Sequence, residues 1–226
     1  MKYIYQHLGL GDHIVCNGLV RLLTKHYGSI VLFCKTHNYT TVSFMYRDNP
    51  NIKVLPLDND INVLNHITEN KIHNDVIKIG HEHLGGLKSM YSFDEAFYRQ
   101  FNIDFEERWS SFYLMRDSER ENELFNKFNV KPGEYIFIHD DNRFHVDENK
   151  IKTKLPIIRV NPSLTPVIFD YVSLIENAKE VHNIESSFQF ITDSLLLNNN
   201  TYVHRYPRNL PRFEIPKYKN VKNIFN

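Results

Sequence analysis

Short β-rich segments alternate with helical segments along the first third of this chain, and this alternation limits the possible fold more than any other feature. The helical segments are recognised by apolar residues spaced three and four positions apart. The predicted strands are Tyr3–Gln6, Ile30–Cys34, Ile52–Pro56 and Val76–Ile79, and the predicted helices cover about 13–26, 38–47 and 60–71. Strands joined by helices form βαβ units, so the pattern predicts a parallel sheet.

A second, shorter set of segments follows the turn Lys131–Glu134. Its predicted strands are Tyr135–His139, Ile157–Val160, 180–183 and Tyr202–His204, and its predicted helices are 168–177 and 186–197. A chain of 226 residues has room for two lobes of about 110 residues each. We therefore predict an α/β protein with two small Rossmann-like lobes that face a cleft. The first covers 1–120 and the second 130–206, and a tail at 207–226 without periodicity packs back on the first lobe.

Aromatic residues are dense between the two sets and have helical spacing. They are Phe93, Phe97, Tyr98, Phe101, Phe105, Trp109, Phe112 and Tyr113. We interpret them as an amphipathic helical layer whose rings pack into the core. The alternative is that some of the rings border a cleft and stack on sugar faces.

Composition restricts the class of protein. The 42% of hydrophobic residues suffices for a core, and a net charge of zero argues against a nucleic-acid binder. Cys16 and Cys34 lack a metal-ligand pattern, so we expect buried free thiols in a reducing compartment. The sequence shows no signal segment and no membrane-spanning run, which predicts a soluble cytoplasmic protein. Abundant Asn, Lys, Ile and Tyr suggest an AT-rich genome such as that of a large DNA virus, and hence the host cytoplasm.

The first strand passes through a glycine turn, Gly9 and Gly11, into a helix that begins near Asp12. The third glycine of the dinucleotide fingerprint is replaced by Ile14, and the carboxylate of Asp12 would repel a pyrophosphate. Asp12 is therefore a candidate catalytic base, or alternatively the N-cap of the helix. His13 is a candidate helper that bonds the donor phosphate or the acceptor, and otherwise a surface residue.

The second lobe has a corresponding turn, Glu185, Ser186 and Ser187, between a strand and a helix. Serine hydroxyls and free backbone N–H groups at a helix start suit a phosphate, although an ordinary serine N-cap is the alternative. Side chains that flank the neighbouring strands are His139, Arg143, Lys152, Lys154 and Arg159. Strand ends of an open α/β sheet converge on one crevice, so a cation here would neutralise a diphosphate.

Histidines raise the alternative of a metal site. His81 and His83, or His139 with Asp140 and Asp141, have the donor types that zinc or manganese prefers. The helical H-x-x-x-H and H-E-x-x-H patterns are absent from the sequence. We therefore predict a reaction that needs no metal and no cofactor.

The arrangement resembles the GT-B glycosyltransferases, and the turn Gly9–Asp12 resembles the start of heptosyltransferase-type enzymes. The chain would be a compact version that lacks glycine-rich donor loops. The resemblance implies that Asp12 is the base, with His13 beside it. It also implies that the turn Glu185–Ser187 holds the donor, and Gly11, His139, Arg143, Lys154 and Arg159 complete the predicted donor set.

The expected reaction is an inverting transfer from a nucleoside-diphosphate sugar to a glycan or another hydroxyl acceptor. Two alternatives remain open. One is a non-catalytic nucleotide-sugar-binding scaffold. The other is a methyltransferase, whose second strand should end in an acidic residue, whereas here Phe33–Thr36 contains none.

Overall fold

The structure of the protein is a computed structural model that describes residues 1–198, 200–206 and 215–225, with the backbone alone at 81, 82 and 225. The chain divides into two compact units. The first unit comprises Met1–Met115 with Pro211–Lys217, and the second comprises Arg116–Leu210 with Tyr218–Asn226. The division after Met115 falls close to the end expected for the first lobe at 120.

The first unit contains a four-stranded sheet in which every described pairing is parallel. Its strands are β1 (Lys2–Tyr5), β2 (Ile30–Lys35), β3 (Ile52–Leu57) and β4 (Val76–Lys78), in the order β3-β2-β1-β4. Each corresponds to a predicted strand. Buried Ile4 on β1 lies opposite Leu32 and Ile77 on the flanking strands, so apolar side chains fill the centre of the sheet.

Helices connect these strands as predicted, with one difference. They are α1 (Leu10–Val15), α2 (Asn17–Tyr27), α3 (Tyr39–Tyr46) and α4 (Asp60–Glu69). Three more helices follow β4: α5 (Leu87–Met90), α6 (Phe93–Arg99) and α7 (Glu107–Ser110). The single helix predicted at 13–26 is broken at Cys16. The buried Tyr98 hydroxyl donates to the Val15 carbonyl at 2.8 Å and accepts from the Leu19 N–H at 3.3 Å. This one side chain satisfies backbone groups that the break would otherwise leave unpaired.

The aromatic segment is core in part. Phe97, Tyr98 and Phe105 are buried, and the ring of Trp109 packs edge-on against Phe105 at 5.0 Å. Tyr113 is different, since about half of it is exposed. The interpretation as a packed layer therefore holds for the buried rings.

The second unit contains a five-stranded parallel sheet in the order β6-β5-β7-β8-β9. Its strands are β5 (Ile136–His139), β6 (Ile157–Arg159), β7 (Glu180–Ile184), β8 (Thr201–Arg205) and β9 (Val221–Phe225). Its helices are α8 (Ser118–Lys127), α9 (Val172–Glu176) and α10 (Ser187–Ser194). Short 3₁₀ turns in the two units are Thr36–Asn38, His73–Asp75, His81–Leu84, Glu148–Lys150 and Ile168–Tyr171.

The C-terminal tail differs from its prediction. Its residues 207–214 lie outside the described part of the chain, but Val221–Phe225 forms β9, which pairs with β8 along five residues. Packing on the first lobe therefore does not describe Val221–Phe225, whereas Lys217 of the same tail bonds residues of the first unit. The physical reason is that β9 is an edge strand, and its exposed Lys222 and Asn223 remove the apolar alternation that would reveal it.

Lys217, just before β9, belongs to the first unit. Its backbone N–H donates to Asp94 at 3.0 Å, and its carbonyl accepts from Arg108 at 2.6 Å. Asp94 and Arg108 form a fully buried ion pair at 2.5 Å, so a charged pair in the core holds this residue in place.

Both cysteines are buried and free, as expected. Within the described residues, the helices are all too short or too polar to cross a membrane.

Candidate functional site

Asp12 lies in α1, directly after the turn that leaves β1. Gly9 is the N-cap residue of this helix, and its carbonyl accepts from the His13 N–H at 3.2 Å. Asp12 and Gly11 are partly exposed, whereas the residues that follow them in α1 are buried. Gly11 is one of the predicted donor-binding residues, but it belongs to the first unit. The other predicted donor-binding residues belong to the second unit.

The pKa of the Asp12 carboxyl is raised to about 7. Loss of hydration is the main cause, and it is opposed by the hydrogen bond from the backbone N–H of Asp12 and by the charge of Lys35. A carboxyl with such a pKa is partly ionised at neutral pH and holds a captured proton well, which suits a general base.

Lys35 was missed as a site residue. It is the last residue of β2, the neighbour of β1, and the carboxyl ends of parallel strands share one edge of the sheet. That position at the strand end was the signal available in the sequence.

His7 is a second residue that sequence reasoning missed. It is exposed, it lies in the connection between β1 and α1, and its ring stacks on Phe97 with 5.8 Å between centroids. An exposed histidine between a buried strand and a glycine turn was visible in the sequence. Its imidazole lies in the same connection as the turn that carries Asp12.

His13 does not have the predicted role. Its side chain is fully buried, and its Nδ1 lies 2.7 Å from the Gln6 side-chain nitrogen. Burial lowers its pKa to about 3, so the ring is neutral. A side chain with no exposed surface cannot contact a donor or an acceptor. The expectation failed because α1 is short and buries its whole second turn.

In the second unit, the structure brings His139 and Ser186 together. His139 ends β5, Ser186 follows β7, and the histidine Nδ1 lies 3.0 Å from the serine Oγ. The ring of Phe188 stacks on His139 at 4.2 Å. Burial lowers the pKa of His139 to about 4, so this pair is neutral near pH 7.

Ser186 is also the N-cap residue of α10, but its side chain makes no capping hydrogen bond. The first backbone N–H groups of an α-helix have no partners within the helix. Ser186 and Ser187 are both partly exposed. The N-terminus of α10 therefore offers hydroxyl and amide donors of the kind that bind phosphate.

Glu185 is already paired. Its carboxylate lies 2.7 Å from Arg205 on β8, and Arg205 also donates to Asn223 on β9 at 2.7 Å. The Glu185 carboxylate is therefore already engaged by Arg205, and its contact with the donor stays a prediction. Arg205 was missed because its partner is 20 residues away along the chain.

The predicted cations have different surroundings. Arg159 lies 2.6 Å from Asp140 and also pairs with Glu148, so its charge is compensated within the protein. Arg143 is 81% exposed, with Asp141 at 3.5 Å. Lys154 is exposed as well. Arg159 is thus held by two carboxylates, whereas Arg143 and Lys154 are open to solvent, and donor binding by all three stays a prediction.

Two of the residues weighed as metal ligands make other contacts: His139 bonds Ser186, and Asp140 bonds Arg159. His83 lines a cavity of the first unit, and the side chain of His81 lies outside the described residues. Where side chains are described, His, Cys, Asp and Glu do not form a group of three or more that could hold a metal.

A cavity of about 440 Å³ lies in the first unit beside the edge strand β4. Its lining includes His73, Lys78 and Gln100, and it contains none of the predicted site residues. The first unit thus has a ligand-sized cavity that is separate from Asp12.

Comparisons with known proteins give the fold. Neither a protein-family model nor a curated protein matches the sequence. A solved structure of a glycosyl transferase family 9 protein from Veillonella parvula is similar, with a TM-score of 0.57 and 9% identity over 100% of this chain and 86% of that one. The ADP-heptose LPS heptosyltransferase II of E. coli is also similar, with a TM-score of 0.55 and 12% identity over 99% of this chain and 90% of that one. The chain therefore has a GT-B-like fold of two parallel-sheet lobes.

Proposed function

We propose that this protein is a glycosyltransferase that moves a sugar from a nucleoside-diphosphate sugar to a hydroxyl group of a glycan or another acceptor. The observation that carries the proposal is Asp12, a partly exposed carboxyl with a pKa of about 7 at the turn between β1 and α1. The similarity in fold to two glycosyltransferases supports the same assignment.

Asp12 takes the proton in the proposed reaction. The acceptor oxygen forms a bond to the anomeric carbon as its proton passes to the Asp12 carboxylate. The bond from the anomeric carbon to the diphosphate oxygen breaks, and the nucleoside diphosphate leaves with that electron pair. Attack opposite to the leaving group inverts the anomeric configuration.

The second unit binds the leaving diphosphate in this proposal. The N–H groups at the start of α10 and the hydroxyls of Ser186 and Ser187 donate to its oxygens. Arg143 and Lys154 supply positive charge, since both are exposed. We propose that these groups stabilise the leaving diphosphate without a metal, so chelation by EDTA should leave the rate unchanged.

The test begins with donor binding. A thermal-shift panel of UDP, GDP, ADP and S-adenosylmethionine assigns the donor class: stabilisation by a nucleoside diphosphate supports transfer of a sugar. Stabilisation by S-adenosylmethionine supports the methyltransferase alternative and overturns the proposal. Stabilisation by a nucleoside diphosphate without turnover of any sugar nucleotide supports the scaffold alternative.

Asp12→Asn then tests the base. With the identified donor, this variant should keep the thermal shift and lose turnover by about 100-fold or more, because only the proton acceptor is removed. Asp104→Asn is the matched control, since it changes an exposed carboxyl of the same unit. Full activity of Asp12→Asn would show that Asp12 is not the base.

A further inference from the structure

Gly9 has ordinary backbone geometry, so its conformation does not require glycine. Its φ of −69° and ψ of 143° lie in the extended region that every L-residue adopts. A glycine at such a position is explained by the space that its missing side chain leaves.

The space at Gly9 is occupied by Asp12. A Cβ atom on Gly9 would lie 2.5 Å from Oδ2 of Asp12 and 3.7 Å from its Cγ, and apart from the adjacent residues 8 and 10 no other described atom lies within 4 Å. The first distance is far below van der Waals contact, whereas the second is normal. A side chain at position 9 would therefore collide with Oδ2 of the Asp12 carboxylate.

We propose that Gly9 is a positioning residue, whose missing side chain sets the orientation of the Asp12 carboxylate. The inference rests on the proposed function in one respect, that Asp12 is the base. A methyl group at position 9 forces the carboxylate to rotate away from the turn, so it no longer meets the acceptor hydroxyl in the required orientation. Small displacements of a catalytic group are known to cost large factors in rate.

The structure supplies a second glycine N-cap for comparison. Gly86 is the N-cap residue of α5, with φ −64° and ψ −16°, so its backbone is helical where that of Gly9 is extended. A Cβ atom on Gly86 would meet no described atom within 4 Å. Gly86→Ala therefore measures the effect of a methyl group that meets no collision, in another backbone conformation.

The experiment compares Gly9→Ala and Gly9→Ser in the wild-type background and in Asp12→Ala. In the wild-type background both variants should lower the urea midpoint of unfolding, although serine is a preferred N-cap residue. In Asp12→Ala both should lower it by less than in the wild-type background, because the colliding oxygen is gone. Equal losses in the two backgrounds would overturn the inference.

Activity gives the second readout. With an identified donor, Gly9→Ala should lower kcat by about tenfold or more and leave donor affinity within about twofold. Its pH–rate midpoint should also move, because the carboxylate loses its contact with its own backbone N–H. If the loss of stability at Gly9 depends on the Asp12 side chain but Asp12→Asn is fully active, the proposed base is refuted and the steric relationship stands. Inactive Asp12→Asn without that coupling would refute only the inference.

Discussion

Arg205 and Glu185 form an ion pair at 2.7 Å in which both side chains are largely buried. The pair joins β8 to the turn before α10, where the proposed phosphate-binding groups lie. Arg205 therefore acts on the proposed donor site by holding the turn, and Glu185 serves the same structural purpose.

Arg205→Ala should lower the free energy of unfolding by about 3 kcal/mol, because it leaves a buried carboxylate without its cation. The double variant Arg205→Ala, Glu185→Gln should recover part of the lost stability, because the side chain left at position 185 is then neutral. Urea unfolding at pH 7.5 measures both. Arg143→Ala is the control, and it should change stability by less than about 0.5 kcal/mol because this side chain is exposed. Equal losses with and without Glu185→Gln would show that the pair does not stabilise the turn.

Ser186→Ala should weaken binding of a nucleoside diphosphate by about 5- to 10-fold, the effect of about 1 kcal/mol from one lost hydrogen bond. The variant also removes the partner of His139. Isothermal titration with the nucleotide that gives the largest thermal shift measures the change.

Ser194→Ala is the matched control, because Ser194 ends the same helix and its buried hydroxyl has no hydrogen-bond partner among the described residues. It should leave nucleotide affinity unchanged. Equal effects of the two substitutions would place the nucleotide elsewhere.

The pKa of Asp12 predicts the pH dependence of the rate. If ionised Asp12 is the base, kcat/KM should rise about tenfold per pH unit below about 7 and level off above that value. A midpoint near 4, the ordinary value for an aspartate, would contradict the desolvation of this carboxyl.

The same pKa predicts how stability changes with pH. The folded state binds a proton at Asp12 up to about pH 7, whereas the unfolded chain releases it near 3.8. Between these two values the folded state binds more protons than the unfolded chain. The free energy of unfolding therefore falls as the pH rises from about 3.8 to about 7. Relative to the wild type, Asp12→Asn should therefore become more stable between pH 5 and pH 8 in urea titrations. A constant difference between the two proteins would show that the pKa is not raised.

The features that could be predicted are those with local causes. The strand, turn and helix around Asp12 follow from neighbouring residues, and so do the apolar β1, β2 and β3. Ser186 and His139 could be placed together because both follow the ends of parallel strands, which share one edge.

The features that were missed have causes distant in sequence. Glu185 is neutralised by a residue on the next strand, and β9 exists because β8 offers an edge for pairing. His13 is polar, as is its partly exposed neighbour Asp12, so the sequence does not show that only His13 is buried. That burial depends on how the short helix α1 packs against the rest of the unit. Composition and periodicity contain no signal for these tertiary contacts.

Gly18 marks a close contact between α2 and the segment at α7. It lies in α2, and a Cβ atom there would be 2.5 Å from the Glu107 carbonyl oxygen and 3.2 Å from the Ser111 carbonyl carbon. Both are backbone atoms, one within α7 and one in the residue that follows it. The collision therefore cannot be relieved by rotating a side chain. Gly18→Ala should therefore destabilise the protein by about 1–3 kcal/mol, although alanine favours helix. Urea unfolding measures the change. Gly86→Ala adds a methyl group where the described residues leave open space, so it should lower the free energy of unfolding far less. Equal losses for the two variants would mean that α2 and α7 are not in close contact in solution.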